Sequence, residues 1–159
     1  MKTIKITLPK EDYTTIEFSQ NNQVGMATIN TALKSLEHKD VFPWHLSIVI
    51  LCESKNDELM PTKTENDTLL TFESQLREQL QSNGNSIFMA SITKNGYREL
   101  IWRVHDPLPA NDYLHDLIDS EQHPRPFDFT LDADQGWFKT EWHFNLLNQT
   151  PDHGMPEKP

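Results

Sequence analysis

The chain has 159 residues, with 24 acids against 14 bases and a formal charge of −10. That balance argues against a nucleic-acid partner, because affinity for a phosphate backbone rests on clustered Lys and Arg. The length is that of one domain, able to bury about 70% of its unfolded surface without a disulfide or metal staple.

The opening MKTIKITLPKEDY has no apolar core of the kind a signal peptide needs. No run approaches the roughly 20 apolar residues of a membrane span. The single cysteine, Cys52, excludes an intramolecular disulfide and suits a reducing compartment. A soluble, cytoplasmic protein with no membrane partner is expected.

In chain order, residues 3–8 alternate polar and apolar as a strand does. Further strands are expected at about Tyr13–Ser19 and Val24–Ile29, joined by a Gln20-Asn21-Asn22-Gln23 turn. One helical turn is expected around Leu33 and Leu36. Residues 1–40 have too little apolar area for a core of their own, and so read as an N-terminal β extension packed on a main domain over 41–147. Residues 148–159 carry no apolar pattern and read as a flexible tail.

The main domain opens with FPWHLSIVILC, in which Trp44, Leu46, Ile48, Ile50 and Cys52 share one face of a strand. Its other face is half apolar, as in an interior strand. Thr62-Lys63-Thr64-Glu65 has capping-box spacing. The helix it opens aligns Leu69, Phe72, Leu76 and Leu80 in one stripe and stops at Asn83-Gly84.

Residues 86–104 are two apolar runs hinged on Asn95-Gly96, the strongest short-range hairpin signal, because a type I′ turn needs positive φ at both central residues. With Lys94 facing Tyr97, the pairs Met89/Trp102, Ser91/Leu100 and Ile87/Val104 should share one face. Phe88, Ala90, Ile92 and Ile101 should share the other with Glu99 and Arg103. His105 to Pro109 should break the strand before a second helix at about Ala110–Ser120, with Tyr113, Leu114, Leu117 and Ile118 inward. Phe127, Phe129 and Leu131 alternate with polar residues as a half-buried strand. Trp137, Trp142, Phe144, Leu146 and Leu147 form an aromatic-rich segment that must find a place to pack.

From Phe42 onward the order is β-α-β-β-α-β. The expected fold class is therefore α+β, a ferredoxin-like split arrangement with an N-terminal β-strand extension. A right-handed crossover leaves a gap beside the first strand, which residues 97–104 should fill.

The strand after Phe42-Pro43-Trp44, the Met60-Pro61 entry to an acid-rich helix, Asn95-Gly96-Tyr97-Arg98-Glu99 and an acidic strand end running into Trp137 together resemble a bacterial domain-of-unknown-function family, number 695. The resemblance spans roughly residues 13–144. The chain departs from the family pattern in its extra N-terminal strand and in Gly136 and Phe138-Lys139 around the tryptophan. That family looks distantly similar in fold to the type B regulators of ribonuclease E activity, acidic proteins that act by binding an enzyme. The resemblance implies a fold and regulation by binding; it transfers no active site.

No Gly-x-Ser-x-Gly, Walker-type or Gly-x-Gly-x-x-Gly signature occurs, so no catalytic residue and no cofactor is expected. Seven histidines show neither an i, i+4 helical pair nor a Cys-x-x-Cys companion, and no metal is expected. His105 and His115 sit close in sequence to Asp106, Asp112, Asp116 and Asp119, the nearest approach to an imidazole-carboxylate cluster. The surface candidates are Asp132, Asp134, Trp137 and His143, where carboxylates meet aromatics as they do in sugar-binding clefts. The favoured function is non-catalytic protein binding or regulation, through a protein partner or a second copy of the chain. A small-molecule binder or enzyme with its site in the acidic, aromatic C-terminal region is the alternative.

Overall fold

The structure, a computed structural model, describes residues 8–147. The strand expected over 3–8 and the tail over 148–159 lie outside those residues, apart from Leu8, which is not in a strand. Six strands form one antiparallel sheet: β1 (Tyr13–Gln20), β2 (Gln23–Asn30), β3 (Trp44–Leu51), β4 (Ser86–Lys94), β5 (Tyr97–Val104) and β6 (Phe127–Ala133). Their spatial order is β1-β2-β4-β5-β3-β6. Three α-helices complete this α+β fold: α1 (Lys63–Leu80), α2 (Pro107–Ser120) and α3 (Phe138–Leu146). None of the described helices is long and apolar enough to cross a membrane.

Both hairpins follow from local chemistry. β1 and β2 turn on Asn21 and Asn22, β4 and β5 on Asn95 and Gly96, and all four residues have positive φ. Asn and Gly reach that region at the least steric cost. Lys94 faces Tyr97 as the spacing predicts, and β5 lies between β4 and β3, hydrogen-bonded on both sides. At Gly96, φ is +82° and an added Cβ would lie 3.2 Å from the Lys55 side chain. Gly96→Ala should therefore cost about 1 kcal/mol or more of stability, measurable by urea unfolding.

One expectation fails at the other end of this hairpin. A β-bulge falls between Phe88 and Ala90, so that Phe88, not Met89, sits opposite Trp102. Phe88 turns to the side of α1 and α2, while Ile87 and Met89 join the opposite core. An extra residue in one strand reverses the alternation beyond it.

The helices start where their caps dictate. Thr62 Oγ1 accepts the Glu65 N–H, but the Glu65 carboxylate does not reach back to close the box. It is buried instead, accepting two bonds from Arg125 at 2.6 and 2.8 Å and one from the Glu53 N–H. α2 begins three residues earlier than expected, at Pro107, because Asp106 caps the Leu108 N–H and a proline at the first helical position has no N–H to satisfy. Of the residues expected inward on it, Leu114 is fully buried, and Tyr113, Leu117 and Ile118 are half-buried.

Each face of the sheet carries its own core. On one, Leu46, Ile48, Ile50, Leu100 and Trp102 pack under the α1 stripe of Leu69, Phe72, Leu76 and Leu80. On the other, Ile29, Met89 and Ile101 meet Phe42, Trp137, Trp142 and Leu146. The aromatic segment thus covers one end of the second face, and Val49, Leu51 and Tyr97 remain exposed at its other end. The N-terminal extension continues the sheet rather than stacking on it, with β2 paired to β4 from Gly25↔Lys94 to Ile29↔Ala90.

Candidate functional site

The four surface candidates divide. Asp134 and Trp137 come together around Arg103, whose side chain is 0% exposed. Arg103 Nη1 donates to Asp134 Oδ2 at 2.9 Å and Nη2 to the Asp134 carbonyl at 2.6 Å, while Nε and Nη2 both reach the Phe42 carbonyl. Its guanidinium lies 4.5 Å from the centroid of the Trp137 ring. Asp134 also accepts the N–H groups of Phe138 and Lys139, which fixes the start of α3. Burial pushes the Asp134 carboxyl up, but Arg103 and these two amides outweigh it and hold it below the usual range. Trp137 Nε1 donates to the carbonyls of Lys39 and Phe42, both at 3.0 Å.

His143 is buried behind this knot, its ring 6.2 Å from His45 and within 20° of parallel. Asp132 alone of the four stands at the surface, 3.5 Å from Lys139. Asp132 and Asp134 therefore do not converge on a cleft, and both Asp134 oxygens are occupied by structural bonds. Such a carboxylate has no position from which to move a proton on a ligand. His105 and His115 stand apart as well: His105 Nδ1 lies 2.7 Å from the Val41 carbonyl, and His115 packs edge-on against Phe129. Among the described residues no group of three or more His, Cys, Asp or Glu could hold a metal ion.

A cavity of about 340 Å³ beside Trp137 is lined by Lys34, Lys39, Glu141 and Phe144, and a larger one lies elsewhere. Six strands about 4.8 Å apart span roughly 24 Å, and two helices packed about 8–10 Å apart cover only about four of them. α1 and α2 sit over the β4-to-β6 side, so beyond Tyr13, which packs against that core, the same face of β1 and β2 is left uncovered beside α1. A cleft of about 660 Å³ results. Met26 and Thr28 of β2 and Ser91 and Thr93 of β4 form its floor, Asn66, Leu70 and Glu73 of α1 its wall, and Met60 and Pro61 one end. Arg77 closes the other end. It is paired with Glu73 at 3.1 Å, and its guanidinium lies 3.8 Å from the centre of the Phe88 ring.

Arg98 of β5 lines this cleft and is 7% exposed. Nε donates to Thr93 Oγ1 and Nη2 to Asn66 Oδ1, both at 2.8 Å. Among the described residues no carboxylate lies within 4.0 Å of it, unlike Arg77, Arg103 and Arg125. Burial presses its pKa below the ordinary arginine value, with Glu73 partly opposing that at longer range. A guanidinium nonetheless keeps its proton in proteins. Arg98 is thus a cation held by neutral partners at the edge of an open cleft. The residues carried a trace of this: Arg98 alternates with Leu100, Trp102 and Val104, which places a charge on the buried face of β5.

Compared with known families, residues 12–147 match the Family of unknown function (DUF695). No curated protein and no solved structure matches the chain.

Proposed function

From the premise that the chain belongs to the DUF695 family, which brings no assigned activity with it, we propose that it is a non-catalytic binding module whose ligand occupies the cleft between α1 and β2. One observation carries the reading: the cleft is open, about 660 Å³ and lined by exposed Met26 and Leu70, whereas the cavity beside Trp137 and Glu141 is about 340 Å³ and the nearby Asp134 carboxylate is taken up by Arg103. Clefts of several hundred Å³ with apolar walls and a few fixed polar groups are the usual form of a binding site. The ferredoxin-like reading belongs to the same proposal. Its support is the order β4-β5-β3-β6, with the hairpin's returning strand between β4 and β3. The distant likeness to the type B regulators would follow from that arrangement.

Native mass spectrometry of the chain purified from its own cells tests the proposal. Wild type and Leu108→Arg, altered at an exposed position on α2, should carry the same non-covalent mass. Leu70→Arg, which fills the cleft, should lose it. A mass retained by Leu70→Arg, or turnover that needs Asp132 or His143, overturns the reading. A protein partner or a second copy held on the other face is the second reading, favoured by the exposed Val49, Leu51 and Tyr97 in adjacent strands. In that case Tyr97→Glu, and not Leu70→Arg, releases the bound mass.

A further inference from the structure

Arg98 limits what the cleft can take. A guanidinium has five N–H groups, and two of them are used by Thr93 and Asn66. The remaining three have no hydrogen-bond partner among the described residues. A buried charge held only by neutral groups is costly, and an anion brought to it relieves that cost. The neighbouring bonds also fix the plane of the guanidinium, so its donors are oriented before any ligand arrives.

The surroundings select the anion. Glu17, Glu58 and Glu73 line the cleft against Lys63, Arg77 and Arg98, so the lining carries no net positive charge, and the chain carries −10 overall. A dianion or an acidic polymer would meet like charges on approach, whereas a single carboxylate meets one guanidinium in planar, two-point geometry. Among these charges the cavity also presents two exposed apolar side chains, Met26 on the floor and Leu70 on the wall, 43% and 46% exposed. Methionine adapts its shape to an apolar guest more readily than branched side chains do.

We propose that the cleft binds a small monocarboxylic acid with an apolar body, its carboxylate on Arg98 between Asn66 and Thr93 and its body against Met26 and Leu70. The inference rests on the cleft being the binding site and adds the chemical class of the occupant.

Octanoate, octanol and inorganic phosphate serve as probes, each titrated into the isotopically labelled full chain with NMR detection of the Arg98 Nε–H and of the Asn66 and Thr93 amides. Octanoate should shift all three saturably, octanol should bind at least about tenfold more weakly for want of the charge-assisted bond, and phosphate should leave them unmoved. In Arg98→Met the octanoate affinity should fall to that of octanol. Equal binding of octanoate and octanol, binding of phosphate as tight as octanoate, or octanoate affinity unchanged in Arg98→Met overturns the inference. The octanoate-to-octanol ratio is read on wild type, so it decides the matter even where Arg98→Met does not fold. If octanoate fails while Leu70→Arg still loses its bound mass, the cleft remains the binding site and only the carboxylate assignment falls.

Discussion

Asp134→Ala should lower the free energy of unfolding by about 3–5 kcal/mol, the usual consequence of removing one partner from a buried ion pair. Arg103 is completely buried, and without the carboxylate its charge faces only neutral groups: the carbonyls of Phe42 and residue 134, the Thr140 hydroxyl and the Trp137 ring. The same substitution strips the N–H groups of Phe138 and Lys139 of their acceptor, loosening the start of α3 and with it Trp142 and Leu146 in the second core. Urea unfolding should show a lower midpoint with an unchanged slope. Arg103→Met combined with Asp134→Leu should recover part of the loss, because no uncompensated charge is left inside. A cost under about 1 kcal/mol for Asp134→Ala would mean that the pair is not what holds α3 to the sheet. The role this assigns to Asp134 is structural, which is why it does not converge with Asp132.

Most of the main domain was legible because its signals are local. Asn95-Gly96 specifies its turn through backbone sterics alone, and the stripe Leu69, Phe72, Leu76, Leu80 specifies the buried side of α1 through helical period alone. The bulge at Met89 was not legible. Ile87, Phe88, Met89 and Ala90 are all apolar, so no polar residue marks where the alternation reverses, and neither Gly nor Pro stands there. The destinations of charged side chains were equally hidden. Glu65 has the spacing of a capping box yet pairs with Arg125, sixty residues away, and Asp134 pairs with Arg103 across thirty-one. Partners at such separations are set by how helices dock on the sheet, not by spacing along the chain.

The cleft was hidden for a related reason. It exists because the N-terminal hairpin widens the sheet beyond what α1 and α2 cover, and the number of strands entering one sheet is a tertiary quantity. Arg98 left a trace in the alternation of β5. Only the pairing of β2 with β4 turns that trace from a tolerated charge on a buried face into a lining group of an open site.

The second large effect is a dependence of stability on pH that begins well above the carboxylate range. His45 is buried on β3, its Nδ1 has no hydrogen-bond partner among the described residues, and its pKa is lowered to about 3. Burial is the main cause, followed by the nearby His143 and Arg103, with Glu99 opposing and Lys139 adding a little. In the unfolded chain the imidazole titrates near 6.5. Between these two values the unfolded state binds a proton that the folded state refuses, so stability rises with pH and is lost on acidification. The loss should approach about 1.4 kcal/mol per pH unit below 6.5, roughly 3 kcal/mol by pH 4.5. Glu65 and Asp134, whose carboxyls are held below their ordinary values, release their contribution only as the pH falls further, through their folded-state pKa values. The interval from pH 6.5 to 4.5 therefore reports on imidazoles rather than carboxylates, and the difference between wild type and a His45 variant isolates the share of His45. His45→Phe keeps a flat ring beside His143 and removes the titrating group, so its unfolding free energy should change far less over that interval than that of wild type. Parallel pH profiles for the two proteins would show that His45 is protonated in the fold, and the packing of two stacked imidazoles beside the Arg103 guanidinium would then need a nearby counter-charge to hold it.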